Sequence, residues 1–341
     1  MLEGLQAKIK AHRQGQILCL MDQDGTTADF HDEPMKAFVR EKLVELIQNT
    51  YQCPLPSRKT IYAIVTGRPF GEAKVLNRLP GGQLLFDQVA INGVFNHGQE
   101  MYIDGQLVKR EGFSYTDEQQ AFIEDKLRVA QESMRRFFGE KLNPRGYTLS
   151  EEGRGNIFIA KPGEGKEIKF QLIEAKYLSD GHLSSFALHS RFLTEEKDLA
   201  VAFKAVVHEF RLQHIDIVKN QGLVTPKNKE LFEKLKSEGS LFFHLPEKQT
   251  SEYVDEVAGP YSKAHTVDLF IKELKSRGCQ PGFILSAGDS AAKGGTDRGM
   301  LEYVAKLNGT DGLETAIVQV RHVGKIGDFL TGQDNMHELQ L

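Results

Sequence analysis

The sequence has little cysteine and no long apolar run. Its three cysteines, Cys19, Cys53 and Cys279, lack metal-ligand spacing, and their odd number does not suggest a disulfide framework. No stretch approaches the roughly 18 apolar residues that a membrane-spanning helix needs. The N-terminal residues are polar and lack the apolar stretch of a signal peptide. We therefore expect a cytoplasmic protein that has no membrane partner.

The sequence also lacks a strong excess of charge of either sign. The formal net charge is −4 over 341 residues, and both signs are dispersed along the chain. No basic patch stands out, so the composition does not predict a nucleic-acid partner. One domain takes about 100 to 200 residues, so the length favours two domains. Nothing in the sequence indicates an oligomeric state.

What the sequence does contain is an alternation of strand and helix patterns at both ends. This rhythm predicts a parallel sheet covered by helices, that is, an α/β fold with a Rossmann-like core. The predicted strands are 17–21, 60–65, 88–90, 281–287 and 315–320, and the predicted helices are 35–48, 70–79, 263–278 and 297–307.

The middle of the chain has a different pattern. A hairpin is predicted around Asp104-Gly105, and a long helix over 116–142 is predicted to begin with a capping box formed by Thr116 and Gln119. Further predicted elements are strands at 156–160, 186–188 and 215–218 and a helix at 199–212. We therefore predict that residues 1–95 and 258–341 form the core domain, and that residues 96–257 are an inserted α+β unit.

Polar residues follow the predicted core strands where the strands end. Asp22 and Asp24 follow the first strand, Thr66-Gly67-Arg68 the second, Asn92-Gly93 the third and Asp289 the fourth. Ligands of parallel α/β sheets bind at this edge. The sequence thus predicts a binding site built from these residues.

The residue types at this edge suit phosphoryl transfer. One carboxylate can attack phosphorus and form an aspartyl phosphate, and a second can act as general acid and then as general base. Mg²⁺ prefers oxygen ligands, which Asp22 and Asp289 could supply. A threonine hydroxyl and a lysine ammonium group could hold the phosphoryl oxygens.

Four sequence motifs resemble those of the haloacid dehalogenase (HAD) superfamily of phosphatases. DQDGTT is similar to the first motif, IVTGRP to the second, SKAHTVDLFIKEL to the third and AGDSAAKGGTDRGML to the fourth. The inserted unit lies where the type IIB (C2) cap of this superfamily lies. INGVFNHGQEMYIDG resembles the entry to that cap in Cof-like and sugar-phosphate phosphatases. EYVDEVAGPYSKAHTV resembles the exit from the cap in trehalose-phosphate and mannosylglycerate-type phosphatases.

The resemblance implies a role for each matching residue. Asp22 would be the nucleophile, and Asp24 the general acid and base. Thr66 and Lys263 would bind the phosphoryl group. Residues near the substrate would be Gly67, Arg68 and Asn92. The ligands of a Mg²⁺ cofactor would be Asp22, Asp24 (through its carbonyl), Asp289 and Asp297.

The chain departs from the superfamily pattern in the fourth motif. The two acids of that motif usually lie four residues apart, whereas Asp289 and Asp297 lie eight apart, which leaves the role of Asp297 open. His97, His244 and His265 are expected at the surface or in the cap rather than as ligands.

The function predicted from the sequence is hydrolysis of a small phosphate monoester, with a sugar phosphate as the leading substrate class. A phosphomutase of the same superfamily and a non-catalytic phosphate-ligand binding or regulatory protein are the alternatives.

Overall fold

The computed structural model describes most of the chain, and its described residues form two compact units. One unit consists of Met1–Ser114 and Tyr261–Leu341, and the other of Tyr115–Pro260. The described residues are 12, 14–28, 41–50, 52–79, 81–108, 116–152, 157–164, 167–192, 229–237, 241–244, 254–258, 263–289, 297–320 and 336–338.

Strands and helices together make up most of the described residues. The strands are β1 (Gln16–Met21), β2 (Thr60–Val65), β3 (Asn92–Phe95), β4 (Glu100–Ile103), β5 (Gln106–Leu107), β6 (Tyr147–Glu152), β7 (Ile157–Pro162), β8 (Ile168–Tyr177), β9 (Leu183–Phe192), β10 (Leu241–His244), β11 (Val254–Ala258), β12 (Pro281–Gly288), β13 (Glu314–Val320) and β14 (Met336–Glu338). The helices are α1 (Glu41–Thr50), α2 (Phe70–Leu76), α3 (Leu85–Gln88), α4 (Asp117–Leu142), α5 (Lys229–Ser237), α6 (Lys263–Ser276) and α7 (Arg298–Lys306). Among the helices within these ranges, none is long and apolar enough to cross a membrane.

The first unit is built on an eight-stranded sheet in the order β14-β13-β12-β1-β2-β3-β4-β5. Strands β13, β12, β1, β2 and β3 are parallel, while β14, β4 and β5 extend the two edges as antiparallel strands. Every residue of β1 is buried, as expected for a central strand of a parallel sheet that is covered on both faces. The predicted α/β fold class is confirmed.

Adjacent residues of β1 pack on opposite faces of this sheet. Cys19 belongs to one apolar cluster together with Leu43 of α1. Leu20 belongs to a second cluster together with Phe270 of α6 and Met300 of α7. Since side chains along a strand alternate between faces, the two clusters form two core layers, one on each side of the sheet.

The third core strand is not where the sequence analysis placed it. The prediction of a strand at 88–90 is wrong, because α3 covers residue 88 and the strand begins at Asn92. Asn92 and Gly93 are predicted to follow the strand at 88–90, but Gly93 lies inside β3. A Cβ atom at Gly93 would come within 2.5 Å of the Ile64 carbonyl oxygen, so glycine is needed there for close approach of the neighbouring strand.

The second unit is an α+β unit built on a six-stranded antiparallel sheet, in the order β10-β11-β9-β8-β7-β6. Helix α4 packs on it, with the rings of Phe138 and Phe170 5.3 Å apart. The predicted capping box of α4 is present, with Thr116 and Gln119 each bonded to the other's backbone N–H group. The helix predicted at 199–212 and the strand predicted at 215–218 lie outside the described residues.

The hairpin predicted around Asp104-Gly105 is formed by β4 and β5, and it extends the sheet of the first unit. Both turn residues have positive φ, as the tight turn requires. The two compact units therefore divide after Ser114 and Pro260, whereas the boundaries of the predicted insertion are residues 96 and 257.

Candidate active site

Three parallel strands deliver polar residues to one edge of the first unit's sheet. In the register of the sheet, Met21 at the end of β1 pairs with Ile64 of β2 and with Ala287 of β12. The residues that follow these strands, Asp22, Thr66 and Asp289, therefore emerge side by side at the carboxyl edge.

The loop after β1 forms a tight turn that fixes both aspartates. The carbonyl oxygen of Gln23 accepts hydrogen bonds from the backbone N–H groups of Thr26, Thr27 and Ala28. Gly25 has a φ of +79° and lies against the carboxylate of Asp289, so a side chain there would be strained and would also collide with that carboxylate. The glycine after the two aspartates is thus required for the contact between the β1 and β12 loops.

An ammonium group lies between two of the acids. Lys263, the first residue of α6, is buried, and its Nζ donates to Asp22 Oδ1 at 2.6 Å and to Asp297 Oδ1 at 2.5 Å. Burial alone would lower the pKa of Lys263, but Asp22 and Asp297 hold that pKa above its usual value. This lysine is therefore charged, and it compensates part of the negative charge of the cluster.

Asp22, Asp289 and Asp297 form an acidic cluster whose nearest carboxylate oxygens all lie within 4.8 Å of one another. Burial and the charge of Asp297 raise the pKa of Asp22 well above its usual value, while Lys263 lowers it. Burial and Asp297 likewise raise the pKa of Asp289 to about 7, again against the effect of Lys263. Asp22 and Asp297 are buried and Asp289 is half-buried. The single ammonium group does not fully compensate these three carboxylates, and a bound cation would stabilise the ionised cluster.

Asp297 lies beside Asp289 although eight residues separate them in sequence. Its side chain is fully buried, and its carboxylate packs on Gly288, where a Cβ atom would come within 2.5 Å of Oδ2. The residues between the two acids, 290–296, lie outside the described residues. The longer spacing thus does not keep Asp297 from the cluster.

Asp24 is held by the residues after β2. Arg68 Nε donates to Asp24 Oδ2 at 2.7 Å, and a second guanidinium nitrogen of Arg68 lies 3.5 Å from Glu72. The backbone N–H of Arg68 donates to Thr66 Oγ1 at 3.2 Å, which closes a small turn over Gly67. The Asp24 side chain is about one-third exposed, whereas Thr66 is buried.

Asn92 is the predicted site residue that the structure does not bring to this edge. It begins β3 and pairs with Ala63, in the middle of β2. Its side-chain oxygen accepts from the backbone N–H of Asp104 at 2.8 Å, and its amide nitrogen donates to the carbonyl of Tyr62 at 3.4 Å. These bonds tie the β4–β5 hairpin to the sheet.

The residues that follow β3 at the site are Asn96, His97 and Gly98, which the sequence analysis missed. His97 was expected at the surface or in the cap, but it is buried in the first unit, so that expectation is wrong. Its ring lies against Gly67. Two signals could have found it: the sequence NHG directly after an apolar strand, and Gly98 as a residue suited to positive φ.

The known proteins to which this chain is similar are solved structures of low sequence identity. No protein-family model matches this chain, and no curated protein does. The C-terminal domain of trehalose-6-phosphate phosphatase from C. albicans is 15% identical over 90% of this chain and 79% of that chain, with a TM-score of 0.49. Trehalose-6-phosphate phosphatase from Aspergillus fumigatus is 13% identical over 98% and 97%, with a TM-score of 0.48. IMP-bound IMP-nucleotidase from Plasmodium falciparum is 13% identical over 96% and 70%, with a TM-score of 0.42. At low sequence identity, the chain is thus similar to solved structures of trehalose-6-phosphate phosphatases and of an IMP-nucleotidase.

Proposed function

We propose that this protein is a Mg²⁺-dependent phosphatase that hydrolyses a small phosphate monoester through an aspartyl-phosphate intermediate. The observation that carries the proposal is the buried ammonium group of Lys263 between Asp22 and Asp297, with Asp289 in the same cluster. Reaction centres of parallel α/β sheets lie at the carboxyl edge, and they often contain buried charged groups such as these.

Asp22 is the proposed nucleophile. It directly follows β1, and its backbone N–H donates to the carbonyl of Ala287 at 2.9 Å, so its position is fixed by two strands. Lys263 binds one of its oxygens, which leaves the other to attack phosphorus. The attack forms the bond between the Asp22 oxygen and phosphorus and breaks the bond from phosphorus to the leaving oxygen.

Asp24 is the proposed general acid and base. It gives a proton to the leaving oxygen, and it later takes a proton from the water that attacks the aspartyl phosphate. Its partly exposed side chain can meet both substrate and water, and Arg68 fixes its direction. Thr66 and Lys263 are proposed to hold the phosphoryl oxygens, where negative charge concentrates.

The acidic cluster has the chemistry of a Mg²⁺ site. Its donors are carboxylate oxygens from Asp22, Asp289 and Asp297, and an oxygen that accepts from Lys263 keeps a further lone pair for a cation. Asp24 is proposed to add its backbone carbonyl. The bound cation would neutralise charge on the phosphoryl oxygens and keep the Asp22 carboxylate ionised.

A sugar phosphate is the proposed substrate class. The proposal depends on the sequence resemblance of the segments that enter and leave the inserted unit, and we propose that this unit, predicted as 96–257, determines the substrate preference. The cytoplasmic location stays a prediction.

A phosphate-release assay across sugar phosphates, nucleotides and phosphoamino acids tests the function, with Asp22→Asn as the decisive variant. We expect this variant to lose at least about a thousand-fold in kcat, because the neutral amide cannot attack. Asp311→Asn is the matched control, since Asp311 is exposed and lies outside the four motifs. Activity of Asp22→Asn above about a tenth of the parent would mean that another residue attacks.

A further inference from the structure

The turn after β3 has an unusual backbone. Asn96 and His97 have φ values of 55° and 54°, and Gly98 has a φ of 107°. Positive φ is uncommon for residues other than glycine, although asparagine and histidine tolerate it better than most. All three residues are buried, so the fold holds this turn in a restricted conformation.

The backbone of this turn holds the turn after β2. The N–H of Asn96 donates to the carbonyl of Arg68 at 2.7 Å, and the N–H of His97 donates to the carbonyl of Thr66 at 3.3 Å. The N–H of Thr66 in turn donates to the carbonyl of Val94 at 2.9 Å. The backbone groups on both sides of Gly67 are therefore fixed by the segment that follows β3.

The ring of His97 fills the space beside Gly67. A Cβ atom added at Gly67 would lie 2.5 Å from Cε1 and 2.8 Å from Nε2 of the imidazole. Both distances are shorter than non-bonded carbon contacts allow, so residue 67 is a glycine because the His97 ring packs against its Cα atom. The Thr66–Arg68 turn is thus in contact with His97 through a side chain as well as through backbone bonds.

The turn at 96–98 also contacts α6, the helix that carries Lys263. Thr266, one turn into α6, donates its hydroxyl to the carbonyl of His97 at 3.3 Å. A Cβ atom at Gly98 would collide with the Thr266 side chain. The turn 96–98 therefore lies between the two segments that are proposed to bind the phosphoryl group.

Glu100, two residues after this turn, contacts the segment that follows Thr66–Arg68. Glu100, at the start of β4, accepts the backbone N–H of Phe70 at 2.8 Å, at the beginning of α2. The ring of Phe70 stacks on Tyr102 of β4 with a centroid distance of 3.7 Å. Phe70, which follows the Thr66–Arg68 turn, is consequently held by β4. The position of the turn therefore depends on the connection between β3 and β4.

We propose that His97 is a positioning residue for phosphoryl transfer. Its ring and its turn fix the Thr66–Arg68 segment relative to α6, and so fix Thr66 and Arg68 relative to Lys263 and Asp24. This inference rests on the proposed phosphatase function. It assigns no proton transfer to the imidazole, since the contact with Gly67 is one of packing.

The test is a double-mutant cycle on the contact between residues 67 and 97. Gly67→Ala places a methyl group against the imidazole, and His97→Asn removes the ring while keeping a residue that tolerates positive φ. Each single variant and the double variant are assayed for kcat and KM, for binding of inorganic phosphate by calorimetry with Mg²⁺ present, and for Tm. Gly71→Ala is the matched control, because a Cβ atom at Gly71 meets nothing within 4 Å.

We expect Gly67→Ala to lower kcat at least about tenfold, because small displacements of positioning groups cost activity steeply. His97→Asn should lower kcat about tenfold with less than about threefold change in KM. In the double variant, kcat and phosphate affinity should exceed those of Gly67→Ala alone. If Gly67→Ala lowered kcat by the same factor in the parent and in His97→Asn, the proposal would be overturned. Recovery of Tm in the double variant without recovery of kcat would also overturn it.

Failure of the proposed function has a different signature. In that case the parent protein would release no phosphate from any ester in the panel. The cycle would still give a result through phosphate affinity, because the contact affects the binding turn whether or not turnover occurs. If the double variant then bound phosphate no more tightly than Gly67→Ala, the positioning role of His97 would be rejected independently of the phosphatase function.

Discussion

Lys263 is the buried cation that pairs with two carboxylates of the candidate site. Its ammonium group is buried with two carboxylates, and its attraction to them outweighs the loss of its own hydration. Removal of one partner from such a buried group leaves uncompensated charge, which typically costs about 3–5 kcal/mol. Lys272 on the same helix is a useful contrast, because its ion pair with Asp268 is solvent-exposed.

We expect Lys263→Met to lower the free energy of unfolding by about 3 kcal/mol at pH 8. The loss should be smaller at pH 6, because the carboxyl of Asp22, whose pKa burial raises and Lys263 lowers, would more readily take up a proton in the folded variant. Lys272→Met should change stability by less than about 0.5 kcal/mol. Urea unfolding of the parent and of both variants, at both pH values, measures the change in the free energy of unfolding. Equal effects of the two substitutions would show that the buried ammonium group does not stabilise the cluster.

The carboxyl group of Asp289 links the proposed metal site to pH. Its pKa is about 7 in the folded protein, compared with 3.8 in an unfolded chain. Between these values the folded protein holds a proton that the unfolded chain has released, so the metal-free protein loses stability as the pH rises through this window. Mg²⁺ needs the ionised carboxylate, and it therefore competes with that proton.

We expect Mg²⁺ to raise Tm more at pH 8 than at pH 6, at the same Mg²⁺ concentration. Asp289→Asn should remove most of the shift at both pH values, whereas Asp311→Asn should keep it. Thermal scans with Mg²⁺ and with EDTA measure the effect. A shift that is as large at pH 6 as at pH 8, or one that survives in Asp289→Asn, would contradict a metal site at this cluster.

Some residues of the candidate site are easier to predict from the sequence than others, for a physical reason. Asp22 and Asp289 directly follow buried strands, so strand prediction and the rule for parallel sheets place them at one edge. His97 reaches the site through a turn with positive φ, and its neighbour Gly67 is 30 residues away in sequence. Such packing depends on tertiary contacts, which apolar periodicity does not encode.

Among the secondary-structure elements, α4 shows how local sequence sets a boundary. The hydroxyl of Thr116 accepts from the N–H of Gln119, and the side chain of Gln119 accepts from the N–H of Thr116. Each bond satisfies a donor that has no partner within the helix, and the pattern is readable because it spans only four residues. The start of β3 was harder to predict, since the fit of Gly93 against Ile64 involves a neighbouring strand.

We expect Thr116→Ala to destabilise the first turn of α4 by about 1 kcal/mol. Hydrogen exchange at the amide of Gln119 should become faster, because that amide loses its acceptor. Thr148→Ala is the control, since Thr148 is an exposed strand residue, and its effect should stay within about 0.5 kcal/mol. Unchanged exchange at Gln119 would mean that the capping box contributes nothing to the start of this helix.

For the chain as a whole, the division into two units identifies the segment that can be removed. The sheet of the first unit includes β4 and β5, which follow β3 as antiparallel strands. Residues 115–260 form the other unit, with a sheet of their own. An excision that respects these units keeps Glu100 and the turn at 96–98. An excision of 97–256 instead removes Glu100, two residues of that turn, and both β4 and β5.

We expect the chain with residues 115–260 replaced by a flexible linker to fold, and to retain weak hydrolysis of p-nitrophenyl phosphate. Asp22, Asp24, Thr66, Lys263 and Asp289 all remain in it. Preference among natural phosphate esters should disappear, because we assign that preference to the inserted unit.

The matched excision of 97–256 should fail to fold, since it exposes the edge of β3 and removes His97, which contacts the Thr66–Arg68 turn, together with Glu100, which accepts from the start of α2. Circular dichroism establishes folding, and the substrate panel then compares the folded core with the parent. A folded core with the parent's ranking of substrates and a similar kcat/KM would place specificity in the first unit. Equal folding of both excised chains would mean that β4 and β5 are dispensable to the first sheet, against the pairing that joins them to β3.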